Sequence, residues 1–64
     1  MLQLVKYKGR TVDLGYLLIR MDKELSFSLW DELGMDRGTA TEEEAVNFLN
    51  VYAQKHKETF GVEF

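Results

Sequence analysis

The sequence predicts a small α+β domain: an N-terminal β-hairpin, one or two short helices, and a long C-terminal amphipathic helix packed on the sheet. Three observations carry this. Leu4-Val5-Lys6-Tyr7 and Arg10-Thr11-Val12 are strand-like segments flanking Lys8-Gly9. Leu14, Leu17, Leu18, Met21 and Leu25 recur at helical spacing. Thr41-Glu42-Glu43-Glu44 carries the signature of a capping box ahead of an apolar-periodic run.

The hairpin spans residues 2–14, with Gly9 supplying the positive φ that a tight turn requires. Residues 13–25 admit two readings. In the first, Asp13 caps a helix whose apolar face is the Leu14–Leu25 series. In the second, the second strand runs on to Met21, the chain turns at Asp22-Lys23-Glu24, and Leu25-Ser26-Phe27-Ser28-Leu29 alternates as a third strand. Five matches to the helical template favour the first, although Gly15 in the first turn costs about 1 kcal/mol relative to alanine. Ser28 then caps a short helix from Leu29 to Leu33, which Gly34 stops, and Met35 to Ala40 form a loop.

The long helix runs from Glu42 to about Glu58. Ala45, Phe48, Leu49, Tyr52 and His56 share one face, and Asn47, Asn50, Gln54 and Glu58 share the other. Acids lead it and Lys55 and Lys57 trail, which suits the helix dipole at both ends. Gly61 is a natural stop, and the alternation of Phe60, Val62 and Phe64 suggests a further strand beside the hairpin.

With 64 residues and no proline, repeat or low-complexity tract, the chain reads as one domain over residues 1–64. A domain of this size buries only roughly 60% of the surface its unfolded form exposes. No cysteine is present, which removes disulfides, thiolate metal sites and thiol nucleophiles, and a lone histidine argues against a histidine-based zinc site. Stability must come from a packed core, self-association or a partner. The 45% of hydrophobic residues, eight of them aromatic, make a core feasible. The start of the chain lacks a basic region followed by an apolar stretch, and no apolar run approaches bilayer length, so cytoplasmic residence and no membrane contact are expected.

Catalytic and metal-binding readings are weak. Asp31 to Glu42 has the length of an EF-hand loop, but its third, fifth and sixth positions are Leu33, Met35 and Asp36, where calcium needs oxygen, oxygen and glycine. Glu42, Glu43 and Glu44 splay about 100° apart on a helix and do not converge on one atom. Ser26 or Ser28 with His56 lacks a nucleophile elbow, and His56 reads as a packed or carbonyl-bonded histidine near a helix end. No glycine-rich phosphate loop occurs. A non-catalytic protein without a cofactor is expected.

Charge distribution is more informative than the net value of -3. Residues 1–23 hold Lys6, Lys8, Arg10, Arg20 and Lys23 against two acids, whereas residues 31–44 hold six acids against Arg37. The favoured reading is a protein-interaction or inhibitor module. Its partner-binding residues are Trp30 as an anchor and the acids Asp31, Glu32, Asp36, Glu42, Glu43 and Glu44, set against a basic surface of another protein. Such a patch can imitate nucleic-acid charge, a format common among small phage antagonists of host proteins. The alternative is a nucleic-acid-binding regulator using Lys6, Lys8 and Arg10 of the hairpin, or a helix-turn-helix-like segment from Leu25 to Glu44. The second form is disfavoured because three glutamates would open its reading helix. Homo-oligomerisation is a separate expectation, motivated by chain length alone.

Overall fold

The fold is α+β, a two-stranded antiparallel hairpin followed by three helices, in a computed structural model that describes residues 3–35 and 40–64. Strands β1 (Leu4–Tyr7) and β2 (Arg10–Asp13) pair in the register Tyr7↔Arg10 to Leu4↔Asp13. Lys8 and Gly9 form the two-residue turn at φ 50° and 81°. Positive φ at both central positions is what the right-handed twist of a two-residue hairpin requires.

Asp13 ends β2 and starts α1 (Leu14–Ile19), its Oδ1 accepting the Tyr16 N–H at 3.1 Å. Leu14, Leu17 and Leu18 are buried, as the periodicity predicts. The helix does not continue to Leu25. The N–H groups of Arg20 and Met21 both return to the Tyr16 carbonyl, which closes α1. Asp22 then takes φ 20°, an unfavourable value for a residue with a side chain. A separate helix α2 (Lys23–Glu32) follows and buries Ser26, Leu29 and Trp30. Ser28 therefore lies inside α2, exposed, and caps nothing. The apparent alternation of Leu25 to Leu29 is the edge of a helical face. Gly34, at φ 68°, ends α2 as expected.

Helix α3 (Glu42–Phe60) opens with the complete capping box. Thr41 Oγ1 accepts the Glu44 N–H at 3.1 Å, and Glu44 Oε1 accepts the Thr41 N–H at 3.0 Å. Its face of Ala45, Phe48, Leu49 and Tyr52 is fully buried and forms the centre of the core. Val5 and Tyr7 of the hairpin pack on one side of α3, and Leu29 and Trp30 of α2 on another. Trp30 meets Phe48 edge-on at 5.7 Å.

The expected C-terminal strand does not form. The sheet keeps two strands. Gly61 adopts a left-handed conformation, φ 76°, and turns the chain back along α3. Phe64 then packs on Tyr52 at 5.0 Å and on Tyr7 at 6.4 Å. The alternation of Phe60, Val62 and Phe64 is overridden because one ring, not a backbone ladder, fills the gap between hairpin and helix. No described helix is long and apolar enough to cross a membrane.

Candidate interaction face

Trp30 near the end of α2 meets Phe48 in the first half of α3, while Asp22 ahead of α2 bonds Tyr52 and lies beside His56, so the two helices run antiparallel and the end of α2 lies toward the start of α3. Asp31, Glu32, Glu42 and Glu43 are all exposed there. None of the four makes an ion pair or side-chain hydrogen bond among the described residues. Glu44 differs: it is half-buried, and its carboxylate is engaged in the capping box. Asp36 lies outside the described residues. The sequence-level patch thus resolves into four outward carboxylates and one acid with a structural duty.

Trp30 is 5% exposed, so it is a core residue and not a projecting anchor. It does reach the surface as the floor of a cleft of about 200 Å³, lined also by Gly15, Leu18, Ile19 and Phe27. Ile19 and Phe27 stand at its rim, 56% and 43% exposed, and Tyr16 is exposed on the same short helix. Phe27 and Asp31 are four residues apart on α2 and so share a face. The cleft therefore adjoins Asp31, whereas Glu43 lines a separate recess with Asn47 and Asn50, on the flank of α3 where Asn50 accepts the Tyr7 hydroxyl. Sequence reasoning missed Ile19 and Phe27. The signal was the spacing of Phe27 from the buried Ser26, Leu29 and Trp30, legible only once α2 is known to begin at Lys23.

The basic hairpin is less available than its composition suggests. Arg10 donates through Nη2 to the Phe64 carbonyl at 3.1 Å and lies over the Phe64 ring at 5.0 Å. Lys8 lies over the Tyr7 ring at 5.3 Å. Lys6 alone of the three stands exposed without such a contact among the described residues.

A polar cluster joins the α1–α2 junction to α3. Asp22 Oδ2 accepts the Tyr52 hydroxyl at 2.9 Å and lies 3.0 Å from His56 Nε2. His56 Nδ1 is 2.8 Å from the Val62 carbonyl. Burial first, then the hydrogen bond to Asp22, push the Tyr52 hydroxyl from 10.0 up to about 12. Ser26 is completely buried and Ser28 is exposed on α2, and neither hydrogen-bonds His56 among the described residues. The described residues bring no three histidine or acidic side chains together to hold a metal ion.

Comparison with family models, curated proteins and solved structures finds no match to this chain.

Proposed function

We propose that this protein is a non-catalytic interaction or inhibitor module that binds a basic, apolar-centred surface of another protein. The reading rests on the Ile19–Phe27–Trp30 cleft with Asp31 beside it, and on the exposed carboxylates Glu32, Glu42 and Glu43, which like Asp31 make no ion pair among the described residues. An apolar recess supplies affinity by excluding water, and a rim of one charge sign supplies orientation and selects against acidic partners. A phosphate-bearing ligand is repelled by the same rim. A basic protein groove that ordinarily holds nucleic acid is a fitting target, since the carboxylates stand in for phosphates there.

Affinity capture from cells with three baits tests the reading: wild type, Phe27→Asp, and the pair Glu42→Lys with Glu43→Lys. A protein retained by wild type and lost from both variants is the expected result. A protein retained equally by all three shows that binding uses another face. Nucleic-acid binding through the hairpin is the weaker reading, because two of its three cations are already engaged. It predicts a gel shift that fades steeply with salt.

A further inference from the structure

Residues 61–64 lie across the groove between the hairpin and α3 much as a bound peptide lies on a receptor. Gly61, at φ 76°, turns the chain off the helix. Beyond it, among the described residues, no backbone–backbone hydrogen bond holds Val62, Glu63 or Phe64. Side chains of the groove hold them instead. The Phe64 ring meets Tyr52 edge-on at 5.0 Å and faces the Arg10 guanidinium at 5.0 Å. Arg10 Nη2 donates to the Phe64 carbonyl at 3.1 Å, and His56 Nδ1 lies 2.8 Å from the Val62 carbonyl. Glu63 lines a recess of about 80 Å³ together with Lys8 and Arg10. Arg10 and Phe64 also border a second recess, of about 180 Å³, with Val12, Leu17 and Met21. The half-buried ring thus leaves open space beside it.

We infer that this groove is a peptide-binding site, that its ligand is a partner segment carrying an acidic residue followed by an aromatic one, and that residues 61–64 fill it as an internal substitute. The chemistry of the ligand follows from what the groove engages. An aromatic ring enters between Tyr52 and Arg10, where edge-to-face and cation–π attraction act together. The acid before it meets the Lys8 and Arg10 side, where opposite charge favours it and a basic residue is repelled. Two backbone carbonyls, one at the aromatic residue and one two positions earlier, meet Arg10 and His56. The larger recess gives a bulkier ring than Phe64 additional contacts, which is how a partner outcompetes the tail. The tail in turn sets a threshold, because a short tether keeps its local concentration high and only a better ligand displaces it. The groove shares no lining residue with the Phe27 cleft, so the inference stands apart from the reading of the acidic face.

The test titrates the full chain with a capped peptide of the sequence of residues 61–64, followed by NMR at the Tyr7, Arg10 and Ala53 amides. Phe64→Ala empties the groove. Gly61→Val keeps the ring but strains the turn that brings it in, and its side chain meets nothing within 4 Å, so the strain stays in the turn. Both variants should bind the peptide about tenfold or more tightly than wild type, whose own tail competes, and both should keep the helical circular-dichroism signal. Against either variant, a peptide with alanine in place of its phenylalanine should bind about tenfold or more weakly, and one with lysine in place of its glutamate should also weaken. Where Phe64→Ala loses its helical signal, Gly61→Val decides by the same criteria. No saturable binding to a folded variant at millimolar peptide overturns the inference. So does equal binding by wild type and variants, or binding indifferent to the loss of the phenylalanine ring.

Discussion

His56 Nε2 lies 3.0 Å from Asp22 Oδ2, the same oxygen that accepts the Tyr52 hydroxyl. The other imidazole nitrogen faces the Val62 carbonyl. One histidine on α3 thereby ties the α1–α2 junction to the C-terminal tail. Each ring nitrogen thus faces an oxygen, one of a carboxylate and one of a backbone carbonyl. The unusual φ of Asp22 is the local cost of aiming its carboxylate at this pair.

Asp22→Ala should lower unfolding free energy by about 2–3 kcal/mol, because it leaves the Tyr52 hydroxyl and the imidazole without their acceptor. Asp22→Asn keeps an acceptor and suits positive φ, so it should fall between alanine and wild type. Urea unfolding of the three proteins checks the order.

Tyr52 gives stability a dependence on alkaline pH. Its hydroxyl is pushed up to about 12 in the fold, against an ordinary value of 10.0. Between these values the unfolded chain releases the phenolic proton and the folded chain keeps it. Stability from this group is fully present below about pH 10 and is lost as pH rises toward 12. Tyr52→Phe should flatten that part of the profile and cost about 1 kcal/mol at neutral pH. Urea midpoints measured from pH 8 upward compare the two.

Thr41→Ala should cost about 1 kcal/mol by opening the capping box. The change removes the Oγ1 that accepts the Glu44 N–H, while the backbone N–H at position 41 keeps Glu44 Oε1 as its acceptor. Glu44→Gln, which keeps an oxygen for that N–H, should be milder. Thermal melts of both variants measure the difference.

Phe64→Ala should destabilise by about 2 kcal/mol, less than a fully buried phenylalanine because the ring is half-exposed. It also removes the ring over which Arg10 lies. Denaturant titration measures the loss, and faster exchange of amides in the hairpin locates it.

Much of this fold is legible in the sequence because local signals and packing agree. The Lys8-Gly9 turn, the Asp13 cap, the Gly34 and Gly61 stops and the capping box at Thr41 are each made within a few residues. The Leu14–Leu25 series misleads because Met21 and Leu25 keep the helical period across a break. That break is fixed by Asp22 bonding to Tyr52, 30 residues away. The C-terminal alternation misleads for the same reason, as Phe64 is placed by Tyr7 and Tyr52. At the candidate face the exposed acids are readable as composition. Trp30 is not readable as a cleft floor, since its burial depends on Phe48 of another helix.

The central claim is that the exposed carboxylates, together with the Phe27 cleft, bind a basic protein surface. Titration calorimetry of a captured partner against wild type and the Glu42→Lys, Glu43→Lys pair tests it most directly. Affinity should fall by about tenfold or more, with the urea midpoint little changed, because both carboxylates are exposed and unpaired. Equal affinity for the two proteins would contradict the account.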